Sequence, residues 1–347
     1  MKLYAHLDRL ERRLRHRGLT NDGAQLDPEA LGAMDCLHFF GDEPIRAIQQ
    51  LISDAATRHD KPPDPADNVR VLDLGTGYGG TARLLAHRTQ CHVDALELQP
   101  DLSMIAEEMT RRCGLSAYVT HMTGDFLQSP VADEKYDIVV GLLSFLHIGQ
   151  WRELFTRCYQ GLKPGGVLYV EDFFRRGVSF SNEELQILRD DISCRTELLS
   201  HGELVTLLQD DVGFEIVRFE DVTDKWAPFV SARATAFASN MQEHAIVDGG
   251  DAAKALLHFY KQVATVFAHK NLGGAGPSRS IGSTLRCVLM LSRTYMTAMS
   301  SSICSGDGCS STTLDDAGEF HTFTSPLTSV NALSISSEFF GWFNGTM

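Results

Sequence analysis

Three kinds of feature are missing from this 347-residue sequence, and each absence narrows its function. No apolar run approaches the roughly 20 residues of a membrane span, and the charged residues 1–17 lack the apolar region of a signal peptide. The eight cysteines form no CxxC pair, and no run of Lys and Arg recurs along one face. We therefore expect a cytoplasmic protein with buried thiols, no metal site, and neither a membrane nor nucleic acid as partner.

The composition is that of an ordinary globular chain with an acidic balance. Apolar residues make up 43% of the sequence, and 31 Lys and Arg against 45 Asp and Glu give a formal charge of −14. A chain of this length can bury one large core or two small ones. Arg293 is the last Lys or Arg, and the Ser/Thr/Gly-rich stretch that follows predicts a non-core tail over residues 295–347.

Apolar periodicity divides the preceding residues into three parts. Residues 1–65 have apolar residues at helical spacing and predict an N-terminal helical lid. Residues 66–175 alternate short apolar runs with amphipathic runs, which predicts an α/β, Rossmann-like core with a mostly parallel sheet and helices on both faces. The pattern over residues 176–294 predicts a helix over Glu184–Leu199 and a last strand within Gly282–Leu291. Between them it predicts a mostly helical insertion over Lys225–His269, called the insertion below.

A glycine-rich turn lies where the first apolar strand meets the following helix. The sequence from Val71 to Gly80 is VLDLGTGYGG. Glycines in such a turn allow a ligand to approach the backbone closely, and the helix N-terminus beyond them presents polarised N–H groups. The spacing of Gly75, Gly77 and Gly80 also suits a dinucleotide-binding dehydrogenase, so the turn alone leaves the ligand open.

Residues at three strand ends narrow the choice of ligand. Asp73 lies two residues before the first glycine, where it can meet a cationic amino group and would repel a pyrophosphate. Glu97 ends the second strand, where an acid can hold ribose hydroxyls. Gly124-Asp125-Phe126 follows the third strand and offers a carboxylate to an adenine amine and a ring to its face. An adenosine that carries an amino acid and no phosphate fits this set, and S-adenosylmethionine is that molecule.

These residues, in this order, resemble the motifs of class I methyltransferases. The resemblance includes Tyr136-Asp137 and Leu162–Gly166 and spans about residues 69–172. It implies a seven-stranded sheet with an antiparallel last strand, S-adenosylmethionine as cofactor and S-adenosylhomocysteine as product. The cofactor-binding residues that it implies are Asp73, Gly75, Thr76, Gly77, Glu97, Leu98, Gly124, Asp125, Phe126 and Leu142.

His147, just past the fourth strand, carries a narrower resemblance. It follows Leu146 as in phosphoethanolamine and sarcosine/dimethylglycine N-methyltransferases, where a histidine at this position takes part in catalysis with a lid tyrosine. The resemblance implies that His147 is catalytic, and an imidazole suits a general base near neutral pH. The sequence departs from these relatives at Leu143, where they carry an acid, and in the lid segment Cys36–Gly41, which has no tyrosine.

Candidates for the acceptor side come from the same predicted edge of the sheet. They are His38 and Phe39 in the lid, Asp172 (or Glu171) after the fifth strand, and Trp226 in the insertion. We predict a methyltransferase, monomeric or homodimeric, that acts on a small-molecule acceptor, foremost an amine nitrogen. The alternatives are transfer to oxygen, sulfur or carbon, a nicotinamide-dependent oxidoreductase, and a non-catalytic binding module.

Overall fold

The computed structural model describes residues 6–19, 25–57, 68–129, 132–275, 289–293, 311–314 and 320–323. The chain divides into two compact units, Met1–Tyr295 and Met296–Met347. Within the described residues, no helix is both long enough and apolar enough to cross a membrane. The predicted boundary near residue 65 lies outside the described residues.

One sheet forms the centre of the first unit. Its strands are β1 (Arg70–Leu74), β2 (His92–Glu97), β3 (Val119–Thr123), β4 (Tyr136–Leu142), β5 (Leu162–Arg175), β6 (Phe214–Arg218), β7 (Leu272–Ala275) and β8 (Leu289–Arg293). The main path runs β3-β2-β1-β4-β5-β8-β6, and β8 alone is antiparallel to its neighbours there. The short β7 pairs separately with the end of β5. The predicted Rossmann-like, mostly parallel sheet with helices on both faces is confirmed.

Helices precede the sheet, alternate with its strands and follow it. The N-terminal segment, which was predicted to be a lid and keeps that name here, contains α1 (Arg9–His16), α2 (Pro28–Asp35) and α3 (Glu43–Thr57). The core contains α4 (Gly80–Thr89), α5 (Pro100–Arg112), α6 (Phe145–Ile148) and α7 (Trp151–Gly161). The C-terminal part contains α8 (Asn182–Asp190), α9 (His201–Thr206), a π-helical turn (Leu207–Val212), α10 (Thr223–Ser239), α11 (Met241–Val247) and α12 (Gly250–Ala268).

Alternate residues of the central strands enter different apolar clusters. Val71 of β1 packs in one cluster with residues of α3 and α4, whereas Leu72 packs in a second cluster with residues of α7. Both side chains are buried, as expected for a parallel sheet that is covered by helices on its two faces. Because helices cover both faces of the sheet, the loops at the ends of the strands are the places where a ligand can reach it.

Two buried ion pairs hold the lid against the rest of the unit. Arg83 of α4 pairs with Asp35 at the end of α2 and also donates to the carbonyl oxygen of Tyr78 at 2.7 Å. Arg13 of α1 donates two hydrogen bonds, of 2.6 and 2.8 Å, to the fully buried carboxylate of Asp248 after α11. Bidentate pairs of this kind fix geometry as well as charge. The lid and the insertion are thereby joined at one end of the sheet.

The predicted helix over Glu184–Leu199 is wrong beyond Asp190. Ser181 and Glu184 form a capping box that starts α8, and the chain leaves the helix after its C-cap at Asp191. Ser193 adopts φ +66°, and the segment continues without helix to the next N-cap at Ser200. The capping box at Ser200 starts a separate helix, α9, directly after this stretch.

The described part of the second unit is a pair of strands. β9 (Ser311–Leu314) and β10 (Phe320–Phe323) pair with each other in antiparallel fashion. The other residues of the predicted tail lie outside the described residues, so its non-core character stays a prediction.

Candidate functional site

A cavity of about 470 Å³ lies at the carboxyl ends of β1 to β4. This is the edge where open α/β sheets bind ligands, and the volume falls in the range of small-molecule sites. Lid residues 35–39 and residues of α10 and α12 complete its walls. Most predicted site residues line it: Asp73, Gly75, Thr76, Gly77, Glu97, Leu98, Gly124, Asp125, Phe126, Leu142, His147, His38 and Phe39.

The glycine turn after β1 has a backbone that side chains would strain. Gly75 has φ +75° and Gly77 has φ +59°, both in the left-handed region that favours glycine. A Cβ added to Gly75 would lie 2.6 Å from the Cβ of Ser144, in the loop after β4. The two strand-end loops are therefore in close contact because residue 75 has no side chain.

Asp73 is a buried carboxylate at the end of β1. Its Oδ2 accepts a hydrogen bond of 2.7 Å from the hydroxyl of Thr76. Burial is the main cause that raises its pKa to about 6, and the nearby carboxylate of Glu97 adds to the rise. A cation bound beside Asp73 would stabilise the ionised form and reverse this shift.

Glu97 is buried at the end of β2 and faces the same turn. Its Oε2 accepts from the backbone N–H of Gly77 at 3.0 Å, and its Oε1 accepts from the N–H of Gln99 at 3.0 Å. Burial raises its pKa, although these amides partly offset that effect. Its carboxylate is thus held in a fixed orientation at the wall of the cavity.

The loop after β3 has a local structural role and also lines the cavity. Asp125 accepts a hydrogen bond from the N–H of Leu127 at 2.9 Å and another from the side chain of Gln128 at 3.1 Å. Phe126 is buried in the same apolar cluster as Leu72. Both residues still contribute to the wall of the cavity, as does exposed Leu98.

His147 lies in the short helix α6, after β4. Its Nδ1 is 3.1 Å from the carbonyl oxygen of Ser193. Because a carbonyl only accepts, Nδ1 carries the proton in this contact and Nε2 keeps a lone pair. Burial lowers the pKa of the imidazole to about 4, with the carbonyl opposing the shift. His147 is therefore uncharged at neutral pH.

Besides Oδ1 of Asp35, whose other oxygen pairs with Arg83, two buried polar atoms on the cavity wall have no hydrogen-bond partner within the described structure. One is the hydroxyl of Ser144, and the other is Nε2 of His38, whose Nδ1 donates to the carbonyl of Phe39 at 3.2 Å. Nε2 of His38 is accordingly a hydrogen-bond acceptor, and burial lowers the pKa of this imidazole. Buried polar groups are normally paired, so these two atoms point to a polar ligand.

Neither Asp172 nor Trp226 lines this cavity, so their predicted substrate-binding roles stay predictions. Asp172 is buried, and its carboxylate accepts from the N–H groups of Leu146 and Phe173. It therefore caps the start of α6. Trp226 packs in the core against Phe39, at a ring-centroid distance of 4.9 Å. The alternative Glu171 is buried and accepts from the hydroxyl of Tyr169 at 2.8 Å, also outside the cavity wall.

Several wall residues lay outside the sequence-based set. Arg233 of α10 and Tyr260 of α12 face each other, with a hydrogen bond of 2.9 Å from the guanidinium to the phenol. Ser193 and Arg195 come from the segment that was predicted to be helical. No motif distinguished these residues, since their positions depend on how the insertion packs over the lid.

A comparison with protein families matches residues 71–166 to a methyltransferase domain. Sterol 24-C-methyltransferase erg-4 from Neurospora crassa is 28% identical over 203 residues, covering 56% of this chain and 52% of that protein. Glycine/sarcosine/dimethylglycine N-methyltransferase from Actinopolyspora halophila is 38% identical over 109 residues, covering 31% and 19%. The chain thus spans about half or less of the length of these curated relatives.

A solved structure shares the fold. It is phosphoethanolamine N-methyltransferase 2 from Haemonchus contortus, in complex with phosphomonomethylethanolamine and S-adenosylhomocysteine. It has a TM-score of 0.55 and 18% identity, and the match covers 74% of this chain and 58% of that one. At this identity the likeness concerns the fold alone.

Proposed function

We propose that this chain, which contains a class I S-adenosylmethionine-dependent methyltransferase domain, transfers a methyl group to a small-molecule acceptor. The observation that carries the proposal is a single cavity that combines the Gly75 turn, two buried carboxylates and His147. We further propose that the protein acts in the cytosol as a monomer or homodimer. The five cysteines in the described residues are free thiols, which agrees with a reducing compartment.

The wall residues fit S-adenosylmethionine by charge and by shape. Asp73 would hold the cationic amino group, Glu97 the ribose hydroxyls and Asp125 the adenine amine. Gly75 and Gly77 line the cavity and present backbone without side chains beside these carboxylates. A dinucleotide would place pyrophosphate against Asp73, which argues against the oxidoreductase alternative. When bound, S-adenosylmethionine would supply an electrophilic methyl group on a positively charged sulfur: the nucleophile bonds to the methyl carbon as the carbon–sulfur bond breaks, and S-adenosylhomocysteine leaves.

An amine nitrogen stays our preferred acceptor atom, and it must react as the free base. Arg195 places positive charge on the cavity wall, and like charge lowers the pKa of an ammonium group. This favours the uncharged, nucleophilic amine. As the new nitrogen–carbon bond forms, Nε2 of His147 accepts the proton that the nitrogen releases. Holding the acceptor close and excluding water supplies much of the remaining acceleration.

The test is transfer of a labelled methyl group to a panel of small amines, acids, thiols and quinols. The proposal is supported if the wild type labels one acceptor class, the Glu97→Gln variant does not label it, and the Glu108→Gln variant still does. Glu108 is a matched control because it is half exposed on α5 and its ion pair in the described residues is with Arg111, one helical turn away. A protein that binds S-adenosylhomocysteine and labels nothing would instead support the non-catalytic binding module.

A further inference from the structure

The acidic and basic side chains of the cavity wall come from different parts of the fold. Asp73, Glu97 and Asp125 follow the strands that form the proposed cofactor end. Arg233 comes from α10 in the insertion and contributes a guanidinium to the same cavity. In the described part of the chain, its side-chain hydrogen bond goes to the uncharged phenol of Tyr260, and no carboxylate lies within ion-pair distance. A partly buried guanidinium without a counter-ion calls for an anionic partner.

Aromatic rings hold the Arg233 guanidinium in place without occupying its donors. Its central carbon lies 4.3 Å from the ring centroid of Tyr260 and 6.0 Å from that of Phe39. Tyr260 is itself fixed by an edge-on contact with Phe237, at 5.2 Å between centroids. Of the five N–H donors of a guanidinium, one is used by the Tyr260 hydroxyl. The rest retain the fork geometry that binds a carboxylate or phosphate through two bonds.

The positive charge of Arg233 lowers the pKa of two titratable neighbours at this end of the cavity, Tyr260 and His38. Burial alone would raise the pKa of the Tyr260 phenol, but Arg233 and Arg9 outweigh it, and the pKa is lowered. Burial lowers the pKa of His38, and the charge of Arg233 lowers it further. His38 is consequently neutral, with its unpartnered Nε2 available to accept a hydrogen bond from a ligand.

The wall around Arg233 is otherwise apolar. Phe39, Phe173, Phe259 and Val263 all line the cavity, and the guanidinium carbon of Arg233 lies 6.0 Å from the ring centroid of Phe39. A ligand at this end would therefore meet hydrophobic walls, one guanidinium fork and the acceptor nitrogen of His38. An apolar body with an anionic group and an N–H or O–H donor satisfies all three.

We propose that Arg233 binds an anionic group, a carboxylate or a phosphate, on the methyl acceptor, so that the acceptor is a small acid with an apolar body. The identification of this ligand as an acceptor rests on the proposed methyl transfer. The anion site itself does not, because it is carried by Arg233, Tyr260, Phe39 and His38. Arg233 is thus a specificity-determining residue on the insertion, remote from the methyltransferase motifs.

Calorimetric titration of the full chain tests the anion site directly. Benzoate, phenyl phosphate and uncharged benzamide are titrated into the protein with and without saturating S-adenosylhomocysteine. A bidentate, charge-assisted pair predicts that benzoate or phenyl phosphate binds about 10- to 100-fold more tightly than benzamide. The preferred anion distinguishes a carboxylate from a phosphate acceptor.

Variants assign the preference to Arg233. Arg233→Met should remove the preference for the anion and leave benzamide binding unchanged, whereas Arg233→Lys should keep part of it. Arg189→Met is the control, since Arg189 is exposed on α8 and pairs with Asp190. If Arg233→Met fails to fold by its melting curve, the wild-type ratio and the Lys variant still decide the question.

Equal affinity of the wild type for benzoate, phenyl phosphate and benzamide would overturn the inference. So would an anion preference that survives in Arg233→Met. Failure of S-adenosylhomocysteine to bind would refute the proposed function instead, and the titrations without it would still measure the anion site. The two proposals therefore fail by different observations.

Discussion

Replacing Asp73 by Asn separates the role of this residue in folding from its role in binding. In the ligand-free protein the carboxylate is buried, accepts one hydrogen bond from Thr76, and lies near the carboxylate of Glu97. An Asn side chain keeps an oxygen that can accept the Thr76 bond. The substitution therefore removes a buried charge while it preserves shape and the local contact.

The expected gain in stability follows from the pKa of Asp73. Its ordinary value is 3.8 and burial raises it to about 6, a difference of roughly two units. At about 1.36 kcal/mol per unit, ionisation of Asp73 costs the folded state about 3 kcal/mol. An acid whose folded pKa is raised contributes stability below pH 4 and loses it as the pH rises to about 6. Asp73→Asn should avoid that loss and be more stable than the wild type at pH 8.

Chemical denaturation at pH 4.5 and pH 8, without ligand, measures the difference between the two proteins. The Asn variant should gain stability over the wild type mainly at the higher pH, yet bind S-adenosylhomocysteine more weakly. In the wild type, affinity for S-adenosylhomocysteine should rise as the pH passes through about 6. A variant that is less stable than the wild type at pH 8 would refute this reasoning.

Asp94→Asn is the matched control. Asp94 lies in β2, outside the cavity wall, and its carboxylate pairs with Lys135 and accepts from the hydroxyl of Tyr136. The same chemical change there removes an ion pair, so it should not stabilise the protein. It should leave cofactor affinity unchanged.

Three further substitutions or truncations have defined outcomes. His147→Ala should lower kcat by about 10²–10⁴-fold and leave the affinity for S-adenosylhomocysteine nearly unchanged. In the wild type, kcat/KM should rise as the pH passes through about 4, the pKa of His147. Wild-type turnover in the variant would exclude His147 as a general base. Gly75→Ala should lower Tm by about 2–8 °C, since strain costs about 1–2 kcal/mol, whereas Gly202→Ala, with open space around its Cβ, should not. Truncation near Ser300, close to the boundary of the second unit, should leave Tm and cofactor binding unchanged; a fall of several degrees would show that the tail packs on the core.

The fold and the cofactor end of the site could be predicted because local sequence determines them. Buried strands such as β1 appear as short apolar runs, and parallel strands end at the same edge, which brings Asp73, Glu97 and Asp125 to one cavity. The glycine turn was recognisable because Gly75 and Gly77 adopt positive φ. These features need no knowledge of how distant helices pack.

The acceptor end depends on tertiary packing and was predicted only in part. His38, Phe39 and His147 do line the cavity, but Asp172 is used by backbone N–H groups at the start of α6, an outcome that its sequence position does not reveal. Arg233 is one of several arginines on amphipathic helices. Its place on the wall arises because α10 packs against α12 and against Phe39 of the lid.

Calorimetric titration of the wild-type chain with S-adenosylhomocysteine and, separately, with NAD tests the central claim most directly. We expect saturable binding of S-adenosylhomocysteine to the wild type. In Glu97→Gln the affinity should fall by about 10- to 150-fold, because the variant loses charge-assisted hydrogen bonds of roughly 1.5–3 kcal/mol. We expect no measurable binding of NAD to the wild type. Affinity for NAD together with no response to S-adenosylhomocysteine would contradict the account.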